Sequence, residues 1–132
     1  DIMEHVGFLD NRASFALHTQ EKNGMNGKNW HATHFFDYPL SSDFHVYGVE
    51  WCQEEDSGRD CIRFLVDGEV YATAWEEQIG NHDHWPFYKP HYFILNLAVG
   101  GNMGGKVDDS IFDQLRIMYV DWVRVYQRVE LP

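Results

Sequence analysis

Short runs of alternating polar and apolar residues, each closed by a turn signal, limit what this chain can fold into, and helical periodicity is almost absent. The sharpest turn signal is Asp67-Gly68, the dipeptide of a two-residue type I′ turn, which sets Val66 opposite Glu69 and Leu65 opposite Val70. Phe44 to Trp51 and Ile62 to Val66 read as apolar strands around a polar, turn-like stretch. Arg12 to Thr19 alternates, with Ser14, Ala16 and His18 on one face and Phe15, Leu17 and Thr19 on the other. Tyr92 to Val99 is nearly continuous in apolar residues, which suits a strand buried on both faces, and Gly100, Gly101, Gly104 and Gly105 break it into a loop. Ile117 to Val129 reads as a long terminal strand, and Asp108 to Gln114 as a short helix capped by Asp or Ser. Glu21 to His34 and Trp75 to Pro90 read as loops. About seven short strands separated by turns predict an all-β sandwich in one domain.

Charge narrows the function. The net charge of −11 argues against nucleic acid, because a polyanion is repelled and no basic stripe exists to release counterions. No apolar run reaches about 18 residues, so no segment reads as a membrane span. Aromatic residues make up 16%, with five Trp. Such residues fill cores, and they also stack on the apolar faces of sugar rings. Trp85 reads as core.

Cys52 and Cys61 are the only cysteines. A hairpin centred on Asp56-Ser57 sets them directly opposite each other, close enough to bridge; two buried free thiols are the other reading. A bridge implies an oxidising compartment.

The chain opens Asp1-Ile2-Met3-Glu4. Residues three apart on a regular strand point to opposite faces, so Asp1 and Glu4 share a face only if an extra residue bulges out near Ile2-Met3; the other reading is a strand-end acidic pair in water. Asp1-Ile2-Met3-Glu4-His5-Val6-Gly7 resembles the end of the signature of glycoside hydrolase family 16, laminarinase-like branch, Glu-x-Asp-x-x-Glu. Three further stretches resemble the same family in the same order. They are Phe44 to Trp51 followed by Val66-Asp67-Gly68, Phe93 to Asn102, and Tyr119 to Gln127.

The resemblance implies a concanavalin-like β-jelly-roll sandwich of two antiparallel sheets. Residues 1–132 then form the carboxy-terminal part of a catalytic domain, and the nucleophilic Glu lies two residues ahead of Asp1 in a missing or separate segment. The implied activity is a retaining endo-hydrolase of β-1,3- or mixed-linkage β-1,3-1,4-glucan, which sets the two working carboxyls about 5–5.5 Å apart. Carboxylates that close cannot all ionise easily, so one stays protonated and acts as the acid. Carried over by position, Glu4 is the general acid/base and Asp1 the middle residue that tunes the nucleophile. Without the nucleophile, the chain alone is expected to be inactive and poorly folded.

Resemblance also implies that His18 is a cleft histidine and that Asn96, mid-strand, turns its amide to the sugar. Trp30, in its Asn-Gly-rich loop, reads equally as a stacking platform and as loop packing. Asp121 interrupts an apolar strand and resembles the acid of the family's structural calcium site. The chemistry itself needs no cofactor. His82, Asp83 and His84 are too local to enclose a metal and read as a solvated loop. Secretion, a β-glucan partner and the remaining part of the domain complete the expectation. The alternatives are an agarase-like galactan hydrolase and a non-catalytic β-glucan-binding protein on the same scaffold.

Overall fold

The computed structural model describes residues 1–53, 58–80 and 85–127. Two compact units, Asp1–Phe93 and Ile94–Pro132, divide the chain.

Within the first unit lie five strands: β1 (Arg12–Leu17), β2 (Trp30–Phe35), β3 (Tyr47–Gln53), β4 (Asp60–Val66) and β5 (Glu69–Trp75). Antiparallel β1 and β2 make one sheet, and antiparallel β3-β4-β5 the other. This is the all-β, two-sheet architecture of the jelly roll. A short helix, α1 (Glu76–Ile79), follows β5, and a 3₁₀ turn spans Pro86–Tyr88.

Alternation decides which faces meet. Ala13, Phe15 and Leu17 of β1 and Ile62, Phe64 and Val66 of β4 are all buried in one cluster with Phe36, Leu40, Ala74, Ile79 and Trp85. Phe64 sits between the sheets, its ring 5.3 Å from that of Phe15 and 5.4 Å from that of Trp30. Full burial of Phe15 and Phe64 stabilises each by about 1.5–3 kcal/mol.

The Asp67-Gly68 turn forms as expected, with φ of +52° and +85° and the register Val66↔Glu69, Leu65↔Val70. Its carboxylate does more than turn the chain. Asp67 accepts the Val46 N–H at 2.8 Å and bonds the His45 imidazole at 2.7 Å, tying the entry of β3 to the β4–β5 turn. Burial alone would raise the Asp67 carboxyl, but these two bonds hold it below the usual carboxylate value.

Cys52 pairs with Cys61 across β3 and β4 and forms a disulfide, with Cα atoms 5.0 Å apart. The bridge closes a short loop, so its loss through Cys52→Ala with Cys61→Ala should cost about 2–3 kcal/mol. Urea denaturation with and without reductant checks this. An unchanged midpoint in the double variant would mean the β3–β4 ladder alone holds the hairpin.

Four expectations are corrected. Glu21 to His34 is not wholly loop, because its last residues form β2. Trp30, Ala32 and His34 face the core side while His31, Thr33 and Phe35 face out, an alternation masked by the polar side chains. Tyr92–Val99 and the described part of Ile117–Val129 form no strand, and among the described residues five strands form, not about seven. A strand exists only through a neighbour's backbone, and among the described residues neither segment has a ladder partner; Leu95, Val99 and Val125 are accordingly exposed.

In the second unit, helix α2 (Gly101–Gly104) follows Gly100, whose φ is +71° and whose missing Cβ would lie 2.5 Å from Val107. Only glycine fits there. The expected short helix appears as a 3₁₀ segment, Asp109–Asp113, capped by the Asp108 carboxylate accepting the Ser110 N–H at 3.0 Å.

Candidate active site

The site is built where the first residues pair with β1. Glu4 and Ser14 exchange both backbone bonds, the Glu4 N–H donating at 2.8 Å and the Ser14 N–H at 2.9 Å. Ala16 donates to the Asp1 carbonyl at 3.1 Å, and the Asp1 nitrogen donates back to the Ala16 carbonyl. Two steps along β1 thus match three steps from Asp1 to Glu4, which is a β-bulge of one residue. Opposed residues of an antiparallel pair project to the same side. Asp1 and Glu4 therefore stand on one face together with Ser14 and Ala16, and Met3 turns inward against the core.

That face continues across β2. Ser14 lies opposite Thr33, with hydroxyls 3.3 Å apart, and Ala16 lies opposite His31. Next along it, opposite Arg12, Phe35 exposes 59% of its surface. His31, Thr33 and Phe35 escaped the sequence reading because β2 was taken for loop. Their period-two spacing was the signal that could have found them.

His18 lies one residue beyond β1. Its Nε2 is 2.9 Å from Oδ2 of Asp1, and its Nδ1 accepts the Gly24 N–H at 3.1 Å. Both ring nitrogens are therefore engaged by the protein, which leaves the ring's carbon edge and faces for any other contact.

Trp30 is not on a loop platform. It opens β2 on the core side, and one face of its indole lies on Phe64. Asn96 and Asp121 belong to the second unit and both are exposed, in segments without ladder partners. The expected strand placement of Asn96 and Asp121 is corrected accordingly, since neither lies on a strand. Among the described residues no three His, Cys, Asp or Glu gather into a group that could hold a metal ion. Asp121 presents one exposed carboxylate. His82, Asp83 and His84 lie outside the described residues.

A bulged strand carrying two carboxylates on an open sheet face, with a histidine holding one of them, suits acid/base work on a bulky substrate. Comparison with known proteins decides the family, since the profile of the glycosyl hydrolases family 16 matches residues 1–124. The chain belongs to glycosyl hydrolases family 16. Among curated members it is 38% identical to a beta-glucanase of Rhodothermus marinus, over 98% of this chain and 44% of that protein. It is 35% identical to glucan endo-1,3-beta-glucosidase A1 of Niallia circulans, over 96% of this chain and 19% of that protein. A keratan-sulfate endo-1,4-beta-galactosidase of Sphingobacterium multivorum is 30% identical over 96% of this chain and 28% of its own length. The chain spans less than half the length of these family 16 relatives. No solved structure matches significantly. No helix among the described residues is long and apolar enough to cross a membrane.

Proposed function

We propose that this chain carries the acid/base face of a secreted, retaining endo-hydrolase of β-1,3- or mixed-linkage β-glucan. The observation that carries the reading is the bulge, which turns Asp1 and Glu4 to one open face. Glu4 is the general acid/base. It protonates the leaving glycosidic oxygen as a carboxylate nucleophile attacks the anomeric carbon from the other side of the ring. In the second step it takes a proton from the water that releases the sugar. Asp1, between the two in the signature, orients the nucleophile, which belongs to a segment ahead of Asp1. Phe35 is the aromatic platform of this face in place of Trp30, since its ring is exposed and lies on the same side as the acids. The exposed apolar runs around Leu95 and Val125 are assigned to packing within the complete domain.

Names of two relatives favour glucan, and the Sphingobacterium relative, named a galactosidase, supports a galactan hydrolase as the second reading. Both acids are present and aligned, which favours catalysis over glucan binding alone.

The test is product analysis of the protein carrying this sequence on laminarin, lichenan and agarose, with proton NMR of the first anomer released. Oligosaccharides from laminarin or lichenan with the β-anomer first are expected. Products from agarose alone would move the assignment to galactan. The α-anomer first would remove the double displacement, and no product from any polymer would remove the hydrolase reading.

A further inference from the structure

The loop between β1 and β2 is short of regular structure but not of hydrogen bonds. Asn23 uses its whole amide. Its Oδ1 accepts the Met25 and Asn26 N–H groups at 3.0 and 3.2 Å, and its Nδ2 donates to the Thr19 and Gln20 carbonyls at 3.3 and 3.1 Å. Asn26 answers it, accepting the Asn23 and Lys28 N–H groups at 3.1 Å each and donating to the Glu21 carbonyl at 2.7 Å. Lys22 anchors the whole to α1 through a 2.7 Å bond to the Gln78 carbonyl. Two asparagines thus supply the partners that a ladder gives to a strand.

One amide of this clasp points at the site. Gly24, between Asn23 and Met25, aims its N–H at Nδ1 of His18. A backbone N–H can only donate, so Nδ1 must offer its lone pair and the neutral ring must carry its proton on Nε2. That proton faces Oδ2 of Asp1 at 2.9 Å. The backbone therefore chooses the tautomer, and the tautomer makes His18 a donor to Asp1. The fit is close as well, since a Cβ on Gly24 would meet Cε1 of His18 at 3.4 Å.

We propose that Asn23 and Asn26 are positioning residues for the active site, holding Gly24 against His18 so that His18 donates to Asp1 and fixes its carboxylate, a role that rests on the hydrolase reading above. The asparagines touch no substrate. They act through Gly24, His18 and Asp1 in turn, and the Asp1 carboxylate is the group that orients the nucleophile.

The experiment is NMR and kinetics on the protein carrying this sequence, its Asn23→Ala variant and its Asn23→Asp variant. Asn23→Asp keeps the Oδ1 acceptor for Met25 and Asn26 and replaces the Nδ2 donor with an oxygen that faces the Thr19 and Gln20 carbonyls. In the parent, a through-hydrogen-bond coupling between the Gly24 amide and Nδ1 of His18 is expected, with a slowly exchanging Hε2 resonance of His18. Asn23→Ala should lose both signals while keeping its cooperative melt, and kcat should fall about tenfold with KM changed less than twofold. Asn23→Asp, which keeps the acceptor but sets an oxygen against those two carbonyls, should recover the coupling and kcat only in part. Absence of the coupling in the parent overturns the proposal, and so does loss of both signals in Asn23→Ala with kcat unchanged. If the parent hydrolyses no polymer, the hydrolase reading fails and the catalytic role falls with it, while the coupling and the Hε2 resonance still decide whether the clasp sets the tautomer.

Discussion

Glu4→Gln should lower kcat on laminarin by about two to four orders of magnitude while leaving substrate affinity close to that of the parent. Glutamine keeps the shape and the hydrogen-bonding capacity of the side chain but can neither give a proton to the leaving oxygen nor take one from water. The backbone cannot be the cause of the loss, because Glu4 is held to Ser14 by main-chain bonds that the substitution does not touch. Two further measurements separate a lost proton carrier from a damaged fold. An aryl glucoside whose phenolate leaves without protonation should be cleaved in the first step nearly as fast as by the parent. Azide, which attacks without a general base, should then restore turnover and give the β-glucosyl azide. Near-normal hydrolysis of laminarin by the variant would remove Glu4 from the acid/base role. A loss that azide does not repair would point to another function for this carboxyl.

Spacing alone left Asp1 and Glu4 as a solvated pair or a bulged one and the resemblance favoured the bulge, for which the register of Asp1 with Ala16 and Glu4 with Ser14 supplies the extra residue. The β4–β5 hairpin was legible for an equally local reason, since Asp67-Gly68 accommodates two positive φ angles in succession. Cys52 and Cys61 followed from the same counting along a hairpin. Where the reading failed, the deciding partner was far away in sequence. Trp30 to Phe35 looks like loop by composition, and it is strand because Arg12 to Leu17 offers it a ladder. Tyr92 to Val99 looks like strand by composition and is none, because a run of apolar residues states that neighbours are needed without supplying them. The tautomer of His18 was out of reach altogether. It depends on a single loop amide, six residues on, whose direction is set by asparagine side chains that look in the sequence like an ordinary polar turn.

Phe64→Ala is the substitution expected to cost most in stability, about 3–5 kcal/mol against a total that for a domain is about 5–15 kcal/mol. The residue is 1% exposed and joins the two sheets, since its ring on β4 meets Phe15 of β1 and Trp30 of β2 on the facing sheet. Truncation removes the apolar contact and leaves a void that neither ring can fill without moving its strand, so the transfer and cavity costs add. Urea denaturation should show a lower midpoint with an unchanged slope, and Phe64→Leu should recover much of the difference by refilling part of the space. The same measurement tests how the site is supported. Glu4 and Asp1 hang on β1 by a few backbone bonds, and β1 keeps its place through Phe15 against Phe64. If Phe64→Ala lowers activity only in proportion to the unfolded fraction, the bulge holds its geometry without the core beneath it. A larger loss in the folded fraction would mean that the inter-sheet ring stack sets the spacing of the carboxylates, and Phe64→Leu should then restore activity and stability together. A midpoint equal to the parent's would place the load of the fold elsewhere and would break the link drawn here between the core face of β1 and the acids on its other side.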